Sequence, residues 1–467
     1  MIEWRLRELA NCAGGELVGE DRGFDSVSTD SRTLSPGALF VALTGEHFDG
    51  HDFVTAAADR GAVAVLVGRT LPISIPQVVV SDPLAALSAF AREWRRRFAI
   101  PVIGVTGSNG KTTTKEMIGS ILSRIGPTLA TRGNLNNHIG VPLTLLGLAA
   151  EHRFAIIEMG ANHQGEIAHL MSIAEPTIGL VTNAGAAHLE GFGSLQGVAL
   201  GKGEMFRALP RDGVAVINAD DAFASMWREN RTADKLLTFG FEQQASFMAH
   251  RVSTKADAAG FRIEFDLVTP EGVRPATLAL AGLHNLRNAL GAAAAAYAAG
   301  ASVDDIVAGL AAMKPVAGRL ELKPAINGAF LVDDSYNANP SSLKAGLDAF
   351  RDFDGTHWLV LGEMKELGDN ADAFHAEVGR YAREAGVARL LAVGERSRHA
   401  VEAFGSGAQW FADLDALIAD ARGSLHEGVV VLIKGSRANK LERVAAALAS
   451  ETTQTNSPSP KPQAPRP

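Results

Sequence analysis

An α/β fold in three units, the middle one built on a mostly parallel sheet, is what this sequence predicts. Three observations lead to it. A glycine-rich turn, Gly104-Val-Thr-Gly107-Ser108-Asn109-Gly110-Lys111-Thr112-Thr113, joins an apolar run at 100–105 to a helical pattern at 115–125. From there to about residue 312 apolar strands alternate with helices, the pattern of a parallel sheet covered by helices. Beyond 313, four further apolar runs each end in a polar loop. A length of 467 residues suits about three domains at roughly 150 residues each.

The elements follow in order. Residues 1–97 carry short apolar stretches at 38–43, 62–67 and 77–80 between turn clusters, and a helix from Pro83 to Phe98 leads out of them. The second unit, 98–312, has strands at 100–105, 154–157, 177–181, 214–217 and 236–239, with a helix over 195–209. Between 247 and 280 the pattern turns to short alternating strands, a small antiparallel extension, and an Ala-rich helix follows His284. In the third unit, 313–450, apolar strands end at Ser335, Glu363, Glu395 and Lys434. Ligands of open α/β sheets collect at such carboxyl ends. The tail, 451–467, is rich in Ser, Thr, Pro and Gln and is expected to be disordered.

Composition narrows the possibilities. A net charge of −8 argues against a nucleic-acid partner, which would leave a basic footprint. No run approaches the 18 apolar residues of a membrane span, and the charged N-terminus does not read as a signal peptide. The single cysteine, Cys12, excludes internal disulfides and cysteine-based metal clusters. These features place the chain in the cytosol.

Strand, glycine-rich turn and helix start together make a phosphate cradle. Glycines let successive backbone N–H groups converge on an anion, and the helix N-terminus adds partial positive charge. Lys111 can reach terminal phosphates and Thr112 can ligate magnesium. The spacing, G-x-x-G-x-x-G-K-T-T, is a variant of the usual pattern, whose first glycine would fall at Val105.

Other candidates leave alternatives open. Glu158 closes the strand at 154–157, where an acid could hold magnesium or simply face solvent. His188 follows another strand and could ligate metal or bond within its loop. Lys202 lies on a helix, where spacing alone favours a solvated lysine. Asn285 and Asn288 share a helix face and could read a base edge or cap the helix start.

Taken together, Gly107–Thr113, Glu158, the His188 segment, Lys202-Gly-Glu-Met-Phe206 and His284-Asn-Leu-Arg-Asn288 resemble the Mur ligases of peptidoglycan assembly, over about residues 20–448. These are ATP-dependent amide-forming enzymes of three domains, with an N-terminal substrate domain and a Rossmann-like last domain. Asp30-Ser31-Arg32, Asn134–Pro142, Asp333-Asp-Ser-Tyr-Asn-Ala-Asn-Pro340, Leu361–Gly368 and Lys434-Gly-Ser-Arg437 resemble the members that add D-alanyl-D-alanine to UDP-N-acetylmuramoyl-tripeptide. A sister ligase adding one amino acid is the nearest alternative; a P-loop kinase or ATPase is a remoter one.

The resemblance implies roles. Gly107, Ser108, Asn109, Gly110, Lys111, Thr112 and Thr113 would hold the ATP phosphates, and Asn285 and Asn288 would lie near the adenine. Thr112 and Glu158 would bind one magnesium; Glu158, His188 and a carbamylated Lys202 would support a second. Lys111, His188 and Lys202 are the catalytic candidates. Arg319 and Asp334 would reach the phosphates and ribose, Ser31 and Arg32 the uridine diphosphate, and Asn136, Asn137, Asn337 and Asn339 the peptide substrates. The reaction would pass through an acyl phosphate, which hydrolyses in water, so the site should close, with hinges near Met313–Gly318 and Phe98–Val102. The family implies a monomer.

Overall fold

The computed structural model describes residues 4–45, 48–257 and 260–450, so the expected disorder of 451–467 lies outside the described residues. Two compact units divide the described residues: one comprises those up to 316 with 339–352 and 365–371, the other 317–338, 353–364 and those from 372 onward.

The first unit holds three principal sheets. Its N-terminal sheet has five strands in the order Glu16–Val18, Gln77–Val79, Ala64–Val67, Ala38–Val41, Ser26–Ser28, parallel except at the first edge. The helix Pro83–Arg96 then leads out, started by Asp82, whose carboxylate accepts from Leu84 N (2.9 Å) and Ala85 N (3.1 Å), with proline at the first helical position. Phe90 and Trp94 on this helix are buried, and one continuous apolar cluster joins Trp4, Phe90 and Trp94 to Val102, Leu145 and Ile157 of the central layer.

Across the expected hinge at Phe98–Val102 the chain is clamped. The buried Arg95 guanidinium donates to the carbonyls of Ala174 (3.0 Å), Glu175 (3.1 Å) and Phe98 (2.8 Å). It satisfies the carbonyl end of the helix Glu166–Ala174 and ties the linker to it.

All strands of the central sheet are parallel, in the order Lys235–Phe239, Val214–Asn218, Ile178–Val181, Val102–Thr106, Phe154–Glu158, Thr128–Ala130. Every residue of Val102–Thr106 and of Phe154–Glu158 is buried, as continuous apolar runs in a doubly covered sheet require. The Ala-rich helix Leu283–Ala298 buries most of its surface against the helix Lys111–Leu122 and the sheet. An antiparallel sheet of Met248–Asp257, Gly260–Thr269 and Gly272–Leu278 forms the expected extension.

In the second unit a six-stranded sheet runs Glu321–Pro324, Phe330–Asp334, Val429–Lys434, Thr356–Gly362, Arg389–Val393, Ala408–Phe411, with only the first strand antiparallel. The α/β class with parallel sheets is therefore observed. Among the described residues no helix is long and apolar enough to cross a membrane.

Two expected elements differ in detail. The helix after the phosphate loop begins at Lys111 rather than 115, because Gly110, with φ of 82°, turns the chain directly into it. The helix expected over 195–209 is two, Leu195–Lys202 and Glu204–Ala208. They meet at Gly203, where a Cβ would stand 2.8 Å from Trp227 Cδ1 while the Trp227 indole donates to Ala199 O (2.9 Å).

Candidate active site

Register gathers the candidate residues. Val102–Thr106 lies inside the central sheet with Glu158 paired to Val105 and Val181 paired to Thr106, so three segments leave the sheet at one edge. The chain passes from one side of this strand to the other here, the crevice where open α/β sheets take ligands.

The glycine-rich loop departs from that edge. Gly107 has φ of 142°, and a Cβ on it would stand 1.9 Å from Thr182 Oγ1. Ser108 N donates to Asn183 O (3.0 Å), Asn109 N to Asn183 Oδ1 (3.1 Å), and Thr182 Oγ1 to Asn109 O (2.6 Å). That neighbouring loop is itself held: Asn218 Nδ2 donates to Thr182 O (2.9 Å), and Asp221 accepts from Ala184 N (2.8 Å) and Phe223 N (3.0 Å). Burial raises the Asp221 carboxyl above its ordinary value. Lys111 Nζ lies over the phosphate loop, donating to the carbonyls of Gly107 (2.7 Å) and Ser108 (3.3 Å). Thr112 and Thr113 occupy the first turn of the helix, half-buried and buried respectively.

Asn285 and Asn288 are buried beneath this loop. Asn285 Nδ2 donates to Ala281 O (2.8 Å) and Asn288 Nδ2 to Asn285 Oδ1 (3.2 Å), so the pair is bonded to itself.

Glu158 is 2% exposed. Asn136 Nδ2 donates to its Oε1 (2.8 Å), whereas Oε2 is buried with no hydrogen-bond partner. A buried carboxylate oxygen lacking a donor is costly, and a hard cation is the partner that suits it. Among the described residues no three His, Cys, Asp or Glu side chains gather to hold a metal on their own. Magnesium fits this arrangement, since it takes one or two carboxylates and fills its shell with phosphate oxygens and water.

Lys202 is 1% exposed; its Nζ donates to Ala161 O (2.8 Å) and stands 5.0 Å from the Phe192 ring. Burial, then repulsion from Lys111, pulls its pKa down to about 7. His188 adopts a left-handed backbone, φ 55°, at the start of the short helix Leu189–Phe192. Its Nδ1 lies 2.5 Å from Glu366 Oε2, and this close contact holds Glu366 below the usual carboxylate range. At Gly191 this segment meets the one after Glu158 so closely that a Cβ would fall 2.2 Å from Asn162 O. Glu158, Lys202 and His188 thus belong to adjoining segments.

Two of the asparagines expected at peptide contacts, Asn137 and Asn339, are already hydrogen-bonded within the chain. Asn137 Oδ1 accepts from Gly140 N (2.9 Å), and Asn339 donates through Nδ2 to Asn109 Oδ1 (2.7 Å) while its Oδ1 caps Ser342 N (2.9 Å). In the second unit, Asp334 is buried against Lys434 Nζ (2.5 Å), which also donates to Asn337 O (3.1 Å). Burial raises the Asp334 carboxyl even though Lys434 and Arg319 pull it down. Arg319 stacks 4.5 Å from the Tyr336 ring centre. In the N-terminal sheet, Arg32 grips Asp30 through two hydrogen bonds (2.9 and 2.8 Å) and holds that carboxyl down to about 2; the half-buried Ser31 lies between them.

Sequence reasoning passed over Thr131, Lys115, Thr182, Asn183, Asn218 and Asp221. The one available signal was position: most of them lie within a few residues of a strand's carboxyl end.

Three family models match the chain: Mur ligase family, catalytic domain, over 24–95; Mur ligase middle domain, over 105–296; and Mur ligase, glutamate ligase domain, over 318–437. The UDP-N-acetylmuramoyl-tripeptide–D-alanyl-D-alanine ligase of Escherichia coli K12 is 44% identical, covering 97% of this chain and 100% of that one. A crystal structure of MurF from Acinetobacter baumannii superposes with a TM-score of 0.89 at 36% identity, over 96% of this chain and 98% of that one. MurF ligase from Thermotoga maritima in complex with ADP gives 0.81 at 28% identity, over 90% and 96%.

Proposed function

The chain belongs to the Mur ligase family, and on that premise we propose that it joins D-alanyl-D-alanine to UDP-N-acetylmuramoyl-tripeptide in peptidoglycan precursor synthesis, with ATP converted to ADP and phosphate. One observation carries the substrate assignment: the likeness to the Escherichia coli ligase runs from end to end. The edge that gathers the phosphate loop and Glu158 supplies the chemistry.

A carboxylate resists attack by an amine because oxide is a poor leaving group. The tripeptide's terminal carboxylate attacks the γ-phosphorus of ATP in line; the acyl–O–P bond forms, the bond to ADP breaks, and an acyl phosphate results. Lys111 and the amides of Gly107–Thr113 offset charge on the transferring phosphoryl oxygens. The dipeptide amine then attacks the acyl carbon, loses a proton, and inorganic phosphate departs.

Thr112 and Glu158 would hold one magnesium ion, and Glu158, His188 and a carbamylated Lys202 would support a second; when bound, the metal would supply charge neutralisation to the phosphates. Carbamylation requires a neutral amine, and the Lys202 pKa of about 7 supports it. The amine adds to carbon dioxide and releases a proton, leaving a carboxylate-like ligand in place of an ammonium. Arg319, Asp334, Asn285 and Asn288 serve the nucleotide, Ser31 and Arg32 the uridine diphosphate, and Asn136, Asn137, Asn337 and Asn339 the peptides. The working domains in this reading are 1–97, 98–312 and 313–450, and the enzyme works in the cytoplasm.

ADP release is the test, measured with both substrates and with each omitted in turn. Turnover requiring both, with the pentapeptide product seen by mass, is expected, and Lys111→Ala should abolish it. Single amino acids replacing the dipeptide would make the chain a sister ligase.

A further inference from the structure

Glu158 sits inside a frame built by Thr131, Asn136 and Lys115, of which only Asn136 has a substrate role in the reading above. Its backbone N donates to Thr131 Oγ1 (2.9 Å), and its Oε1 accepts from Asn136 Nδ2 (2.8 Å). Thr131 is 2% exposed, and its carbonyl accepts from Lys115 Nζ (2.7 Å). Lys115 is itself buried, 1% exposed, one helical turn beyond Lys111 on the helix Lys111–Leu122. Burying a lysine needs a compelling partner, and here the partners are that carbonyl and Glu116, 2.7 Å away. Gly160 closes the frame: its N donates to Asn136 O (2.8 Å), and a Cβ on it would stand 2.9 Å from Asn136 Oδ1.

The consequence is asymmetric. Asn136 satisfies one carboxylate oxygen of Glu158, leaving Oε2 buried and without a donor. The amide must turn its NH2 toward a carboxylate, so the arrangement fixes both the rotamer and which oxygen faces the ligand. Lys115 links the frame to the phosphate loop's own helix, so loop and carboxylate keep one spacing.

We propose that Asn136, Thr131 and Lys115 are positioning residues that fix Glu158 with a single oxygen presented to a divalent cation. This rests on the reading of Glu158 as a magnesium ligand. It gives Asn136 a metal-orienting role in place of a peptide contact. Outer partners of metal-binding carboxylates are worth about 10- to 100-fold in affinity or activity.

The experiment measures ADP binding by calorimetry with and without Mg2+, and takes the ratio of the two affinities, for the full chain and for N136A, T131V, T131S, K115M and E158Q. Thermal unfolding identifies folded variants. N136A, at a half-buried position, and T131S, which keeps the hydroxyl, provide readings if K115M or T131V fails to fold. The Mg2+-linked gain in ADP affinity should fall about tenfold or more in N136A and T131V, stay near wild type in T131S, and fall furthest in E158Q. The apparent Mg2+ requirement of turnover should rise in N136A with the KM for UDP-N-acetylmuramoyl-tripeptide unchanged. If E158Q loses the gain while N136A and T131V keep it, the positioning inference is overturned and the metal assignment stands. If E158Q itself keeps the gain, the metal assignment fails and this inference fails with it. A raised KM for the tripeptide in N136A, with magnesium linkage intact, would return Asn136 to substrate binding.

Discussion

Asn288 Oδ1 lies where a side chain on Gly110 would have to go: a Cβ at Gly110 would stand 2.4 Å from it. The two residues are 178 positions apart, and their approach seats the phosphate loop on the Ala-rich helix Leu283–Ala298. Gly110 also holds φ of 82°, so the position excludes other residues for two independent reasons.

Gly110→Ala should therefore lose nucleotide binding before it loses the fold. Left-handed backbone costs a non-glycine residue about 1 kcal/mol, and the clash displaces either the loop or Asn288. Calorimetry should show ADP affinity lowered by at least tenfold with the melting temperature down by only a few degrees. Unchanged affinity would mean that the loop does not bind phosphate.

If Lys202 carries the proposed carbamate, activity should depend on carbon dioxide. With its pKa near 7, the neutral amine becomes more abundant as pH rises through that value. Enzyme kept in degassed, bicarbonate-free buffer should lose activity and regain it on adding bicarbonate, more readily at pH 8 than at pH 6. Activity indifferent to bicarbonate, with no added mass of carbamate on Lys202, would remove the carbamylated ligand.

The same group bears on stability. Its pKa falls from 10.5 to about 7 on folding, so the unfolded chain binds more protons between those values and stability rises with pH there. In bicarbonate-free buffer, wild type should gain stability relative to Lys202→Met between pH 7 and 9 in urea melts. A flat difference would show that Lys202 is solvated.

In the second unit, Lys434→Met would leave the buried Asp334 carboxylate without its partner, at a cost of about 3–5 kcal/mol. Adding Asp334→Leu should restore much of that loss, and a double-mutant cycle in urea measures the coupling. Simple additivity would show that the pair does not interact.

Arg95→Ala should cost about 3 kcal/mol by stranding the carbonyls of Ala174, Glu175 and Phe98. Urea unfolding checks it, and Arg95→Lys should recover only part, because an ammonium cannot span three acceptors in one plane.

Much of the architecture was legible because period and composition are local. The strands Phe154–Glu158, Val214–Asn218 and Val429–Lys434 fall where the apolar runs are, since a doubly covered sheet buries all of their residues but the half-buried Val214. Short edge strands such as Glu16–Val18 and Thr128–Ala130 were missed, being too brief and too mixed to carry a period. The break at Gly203 was missed as well, because it comes from Trp227, far along the chain.

The site divides in the same way. The glycine spacing and Lys111 by themselves lead one to expect a phosphate cradle, because backbone freedom and a lysine at a helix start are properties of a short segment. Nothing in the sequence says that Asn136 holds Glu158, that Asp221 steadies the loop behind Asn109, or that Lys202 is buried rather than solvated. Those relations depend on strand order and register, which bring distant segments to one sheet edge. Chemistry of a residue type is written locally; its solvation, its partner and hence its charge state are set by whatever the fold packs against it.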